Sequence, residues 1–167
     1  ARVERLVLVS PAPASRAARE TFEARFSERN TAPALQAERR ALRESGLRDT
    51  DPEAYQQRLF ELSVTPYFHD PARARELTPF RVTGRTQQEV WESLGDYDLR
   101  SALRSLHVPA TVLHGESDPI PIDSARETAA SLRAEFHPLE RCGHVPYVER
   151  FDAFVRIVSD VLSRPAA

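Results

Sequence analysis

Two short loops hold the groups that can move protons. One is His114-Gly115-Glu116-Ser117-Asp118-Pro119-Ile120-Pro121, the other Arg141-Cys142-Gly143-His144-Val145-Pro146-Tyr147. A carboxylate on the first and an imidazole on the second make an orienting acid and a general base. The acid accepts a hydrogen bond from one ring nitrogen and fixes the tautomer, leaving the other nitrogen to take a proton from a nucleophile. Asp118 and His144 are the expected pair. Each is ambiguous alone, because an aspartate after a strand also serves as a turn or cap residue; the order of the two loops carries the assignment. Cys142 shares a loop with His144, and neighbours on one loop rarely reach a common attack geometry, so it reads as a small buried thiol. Ser117 sits in a turn sequence, not at a strand-to-helix elbow, and His114 at a strand end reads as a structural hydrogen-bonding group. His69, His107 and His137 are scattered, without an H-x-x-x-H spacing. No zinc site is expected, and no metal or organic cofactor is implied.

Such loops work when they lie just beyond the carboxyl ends of parallel strands, and the residues around them read that way. Residues 108–115, V-P-A-T-V-L-H-G, are an expected strand ending in glycine. Asp123 opens an expected helix to about Arg133, residues 135–139 are a short strand, and Phe151, Phe154, Val155, Val158 and Leu162 recur at helical spacing on one face. Strand, helix, strand, helix is the signature of a parallel α/β layer. Near the other end, Leu6-Val7-Leu8-Val9 is an uninterrupted apolar run stopped by Ser10-Pro11-Ala12-Pro13, the pattern of a strand buried on both faces. Between these regions, residues 16–27, 34–45 and 52–62 are rich in alanine, arginine and glutamate, all good helix formers. Asp51-Pro52-Glu53 combines a capping side chain, a first-turn proline and an acid at the positive helix end, and Asp70-Pro71-Ala72 repeats the pattern. Thr65-Pro66-Tyr67-Phe68 is an expected break. The expected organisation is a core of residues 1–14 and 95–167, with 15–94 inserted as a helical cap over the strand ends.

These motifs together resemble the C-terminal part of an α/β-hydrolase. In that family the triad runs nucleophile, acid, histidine along the chain. The resemblance makes Asp118 the acid, His144 the base and residues 1–13 the strand that follows the nucleophile's helix. Leu94-Gly95-Asp96-Tyr97-Asp98-Leu99-Arg100, leading into His107-Val108-Pro109, resembles the return from cap to core in proline iminopeptidase-like members. The implied fold is α/β: part of the hydrolase parallel sheet with an inserted helical cap. The implied activity is serine hydrolysis of a small ester or amide, peptides with an N-terminal proline among the candidates. The cap should set substrate choice, with Phe60, Tyr67, Phe68 and Trp91 lining an apolar pocket. Glu61 stands where a cap carboxylate would receive the free amino group of such a peptide, although the W-x-x-W-E pattern of those enzymes is absent.

A second departure is larger. Gly46, Gly84, Gly95, Gly115 and Gly143 frame no serine as G-x-S-x-G, the sequence of the elbow that exposes the nucleophile. The chain is therefore expected to keep the acid and histidine of a serine hydrolase without its serine or oxyanion hole, and to be inactive alone. The alternative is a truncated, inactive domain that self-associates, or one half of a split enzyme whose other chain supplies the elbow. The physical basis for a partner is the 6–9 strand, which offers an apolar edge when no strand precedes it.

Composition narrows the remaining classes. The 23 basic residues, all arginine, nearly balance 25 acids for a net charge of −2, so neither a nucleic-acid face nor a polybasic membrane patch is expected. No window reaches the roughly 20 apolar residues of a membrane span. A single cysteine makes a reducing cytoplasm the expected compartment. The sequence contains no methionine, so the expectation is a processed start or a part of a longer chain.

Overall fold

Leu6–Val9 (β1), Ala110–Gly115 (β2) and Glu135–Leu139 (β3) form a parallel sheet in the order β1-β2-β3. The structure, a computed structural model, describes residues 3–80 and 84–165. Residues 1–2 of the expected core and 81–83 of the expected cap lie outside the described residues. Register runs from Leu6 opposite Ala110 to Val9 opposite Leu113, and from Thr111 opposite Glu135 to Gly115 opposite Leu139. The central strand β2 is buried along nearly all its length, Val112 and Leu113 completely. The edge strand β1 is only half-buried at each position, not buried on both faces as its apolar run predicts. Among the described residues β2 is its one neighbour in the sheet, so no second ladder shields it.

Residues Ile122–Leu132 (α7) cross from β2 to β3. Ala125 and Ala129, one helical turn apart, lie against Val112, with Leu8 and Phe136 closing the cluster from β1 and β3. Small residues at this spacing let a helix sit close on a sheet.

The chain between β1 and β2 is helical: Arg16–Asn30 (α1), Pro33–Glu44 (α2), Leu47–Thr50 (α3), Pro52–Val64 (α4), Gly84–Leu94 (α5) and Arg100–Arg104 (α6), with tight turns at Thr65–Tyr67 and Pro71–Glu76. The expected starts are seen in atomic detail. Asp51 accepts from Ala54 N at 3.0 Å to open α4, and Asp70 accepts from Ala72 N at 3.0 Å to open the 71–76 turn. The chain leaves β1 and returns at one point, where Ser15 bridges Asp98 and Leu99 N donates to Ala14 O at 2.8 Å. Leu35, Leu42 and Leu62 make one apolar cluster within the helices. Val64, Phe68, Ala74 and Leu77 make another, completed by Val145 from the loop that carries His144.

Two short helices follow β3: Pro146–Glu149 (α8) and Phe151–Ser163 (α9). The apolar stripe of α9 is helical as expected, but it is only partly covered, with Phe154 and Val158 half-buried and Phe151, Val155 and Leu162 exposed. Val161 is the residue α9 buries, whereas Phe151 and Leu162 are 59% and 63% exposed. Arg5 fastens the helix end from β1's side by donating to the carbonyls of Val161, Arg164 and Pro165.

Candidate active site

Both loops leave the sheet at the carboxyl ends of adjacent strands, and glycine lets them touch. A Cβ on Gly115 would lie 2.1 Å from Gly143 O and 2.4 Å from Cys142 O. The gap is instead bridged by backbone bonds, Glu116 N to Leu139 O at 3.0 Å and Ser117 N to Cys142 O at 2.8 Å. Gly143 has the same property on its other side, where a Cβ would meet Tyr67 O at 2.1 Å. Three chain segments thus converge with backbone against backbone: the acid loop, the histidine loop and the 65–70 turn.

Asp118 is 2% exposed and its Oδ2 lies 2.8 Å from His144 Nδ1. Its Oδ1 accepts from Ile120 N at 2.8 Å, which fixes the carboxyl plane. Since a carboxylate only accepts, Nδ1 carries the ring proton and Nε2 is left with its lone pair. A half-buried imidazole in that tautomer can take a proton from an attacking hydroxyl and return it to a leaving group. His144 is held from three further directions. Its backbone N donates to Tyr67 O at 2.7 Å, its ring lies 5.2 Å from that of Tyr67, and the preceding residue, Gly143, donates to Glu149.

Glu149 is the residue that sequence reasoning missed. It is 6% exposed, and its carboxylate accepts from Gly143 N at 2.6 Å, His69 N at 2.8 Å and Asp70 N at 3.0 Å. Arg73 Nη1 donates to the Glu149 carbonyl at 2.9 Å. One buried acid therefore ties the histidine loop to the segment that precedes the 71–76 turn. The available signal was a glutamate one turn past His144, which by itself reads as a solvated helix residue. His69 adds a second tie, Nδ1 to Ser117 Oγ at 2.8 Å.

His114 lies beneath the acid, fully buried, with Nε2 3.0 Å from Ile120 O and 3.7 Å from Asp118 Oδ2. Burial pushes its imidazole below the ordinary histidine value, against the pull of Asp118. It supports the acid as a neutral ring. Cys142 is completely buried, and burial with the nearby Glu149 and Asp118 charges pushes its thiol up to about 12. A thiol so rarely ionised is a poor nucleophile.

His144 opens onto a cleft of about 1080 Å³. Phe60, Tyr67, Phe68 and Trp91 line it, together with Phe26 and Tyr147. Glu61 does not line it. Its carboxylate accepts from Arg58 at 2.8 Å and Gln57 at 3.0 Å. Burial pushes that carboxyl up, but the two hydrogen bonds outweigh burial and hold it below its usual value. Among the described residues no cluster of histidine, cysteine and acid side chains is arranged to hold a metal ion, and no helix is long and apolar enough to cross a membrane.

A parallel sheet with an acid and a histidine beyond adjacent strand ends, under helices inserted between strands, is the architecture of one large class. The chain belongs to the alpha/beta hydrolase family, whose members it matches over residues 1–157. Its solved neighbours share the fold at low identity. An alpha/beta fold family hydrolase from Bacillus anthracis str. Sterne superposes with a TM-score of 0.60 at 19% identity over 94% of this chain and 58% of that one. The enol-lactonase from Burkholderia xenovorans LB400 gives 0.56 at 21% identity, covering 98% and 57%. Proline iminopeptidase from Mycobacterium smegmatis gives 0.53 at 19%, covering 95% and 56%. The chain thus spans 56–58% of the length of these structures. No curated protein matches it.

Proposed function

We propose that this chain supplies the acid, the base and the substrate-covering cap of a serine hydrolase that cleaves a small ester or amide. The observation that carries the reading is the 2.8 Å bond from His144 Nδ1 to a buried Asp118 at the mouth of an apolar cleft. On this reading residues 15–94 are the cap, and the serine and oxyanion donors come from a segment outside these 167 residues. The serine hydroxyl gives its proton to His144 Nε2 as it attacks the carbonyl carbon. Asp118 stabilises the imidazolium, which then protonates the leaving alcohol or amine, and water repeats the sequence on the acyl-enzyme. Within the amide class, the resemblance alone offers peptides with an N-terminal proline as a candidate, and the residues lining the cleft decide whether they are admitted.

A fluorophosphonate, which phosphonylates activated serines, tests this directly. The chain alone should stay unlabelled. Combined with a polypeptide bearing a G-x-S-x-G segment, it should promote labelling of that serine. His144→Ala should slow labelling on the order of 10²- to 10⁴-fold. Labelling that ignores His144, or that lands on Ser117, would sink the proposal.

A second reading is a catalytically inactive domain that self-associates or pairs with a nucleophile-bearing chain. It is favoured by the apolar stripe that α9 leaves facing outward at Phe151, Val155 and Leu162.

A further inference from the structure

The charge of the cleft says more about its substrate than its size does. The polar residues lining it are Gln56, Ser63, Thr86 and His144, with the phenol groups of Tyr67 and Tyr147; the remaining described residues lining it are apolar. No aspartate, glutamate or arginine lines it among the described residues. The undescribed positions supply no acid either, since residues 1–2, 81–83 and 166–167 are Ala, Arg, Arg, Val, Thr, Ala and Ala, and the undescribed side chains at 85 and 87 are Arg and Gln.

Three carboxylates beside its lining residues are engaged. Asp118 is bound to His144 and Ile120, and Glu149 to three backbone N–H groups. Glu61 is held by Arg58 and Gln57. Asp51 and Glu53 line a different cleft of about 700 Å³, which shares Gln56, Phe60 and Phe80 with the first but does not include His144. The Arg19 guanidinium lies 4.7 Å from the Trp91 ring centroid and is paired with Glu23 at 2.6 Å.

Resting on the hydrolase reading, we propose that the cleft accepts the uncharged, apolar portion of an ester, lactone or amide and rejects substrates with an ammonium group beside the scissile carbonyl. In an N-terminal-proline peptide the ammonium sits on the carbon next to that carbonyl. It would therefore have to enter the cleft beside His144, shed water against aromatic rings and find no carboxylate on the walls that this chain supplies. A hydrocarbon group in the same place gains by leaving water. The selectivity is set by the helices between β1 and β2, and it opposes the aminopeptidase specificity suggested by the position of Glu61 in the sequence.

Trp91 is the sole tryptophan and lines the cleft, so its fluorescence reports occupancy without turnover. The test titrates the purified chain with N-benzylcyclopentanecarboxamide and N-benzyl-L-prolinamide, which differ by a ring CH2 against a ring NH2⁺. The neutral amide should bind about tenfold tighter or more at neutral pH, and the gap should close once the amine is deprotonated. Leu59→Glu, at a solvent-reachable position in the cleft lining, should narrow or reverse the preference while the fold persists by circular dichroism. Equal or tighter binding of the prolinamide to the unaltered chain would overturn the selectivity, as would a Trp91 signal that responds to neither ligand. Either result leaves the labelling experiment on His144 to judge the hydrolase reading separately.

Discussion

A hydrogen bond between a carboxylate and an imidazole fixes which nitrogen is the base, and at residue scale that is the property to measure. Imidazole nitrogen shifts of the labelled chain should show His144 protonated at Nδ1 and bare at Nε2 in mildly alkaline solution. Asp118→Asn should scramble that preference, because an amide can donate as well as accept. A wild-type ring protonated at Nε2 would contradict the geometry. His114 makes a second residue-scale prediction, through linkage. Its folded value lies below its unfolded one, so in the window between them the unfolded chain binds a proton that the folded chain does not. Stability is therefore unaffected by this group above about pH 6.5. It falls as the pH drops below that value, by up to about 1.4 kcal/mol per pH unit, until the folded value is passed. Urea midpoints at mildly alkaline and mildly acidic pH should show a smaller acid loss in His114→Gln, which keeps a donor toward Ile120 O. An equal loss in both proteins would assign the acid sensitivity to other groups.

At the scale of elements, the site depends on how the histidine loop is fastened to the segment above it. Glu149 makes that junction through three backbone N–H groups. Glu149→Gln replaces one acceptor oxygen with an NH2 that faces donors, so the change should destabilise the fold by about 2–3 kcal/mol. Hydrogen exchange locates the effect: the Gly143, His69 and Asp70 amides should lose protection first, ahead of β2. Uniform loss across the sheet would mean that Glu149 supports the fold generally and not this junction. The glycines were legible as loop residues, but their reason was not. Gly115 and Gly143 are needed because other backbone lies about 2 Å from where a Cβ would be, and no local pattern announces such an approach.

Across the whole molecule, apolar surface is unevenly covered. Strand β1 is half-buried at the sheet edge, and Phe151, Val155 and Leu162 of α9 are exposed. Contiguous exposed apolar groups of this kind favour association. Sedimentation of the chain should show a concentration-dependent species larger than monomer. Phe151→Glu combined with Leu162→Glu should abolish it without lowering the melting temperature, because both side chains are already more than half exposed. A monomer at every concentration would remove self-association and leave pairing with a nucleophile-bearing chain as the form of the second reading.

Local chemistry made much of this protein readable in one dimension. Apolar runs, proline and glycine stops and capping aspartates depend on neighbours a few residues away, so β2, β3, α4, α7 and the Asp118 and His144 loops follow from sequence directly. The resemblance those loops carry is matched by family membership over residues 1–157. What tertiary structure alone decided are contacts between distant segments. The burial of Glu149, the absence of Glu61 from the cleft lining, the half-burial of β1 and the exposure of Phe151, Val155 and Leu162 on α9 each depend on which surface lies opposite. A glutamate on a helix has the same local sequence signature whether it meets water, an arginine or three backbone N–H groups. Only the packing of residues tens of positions away determines which partner it finds.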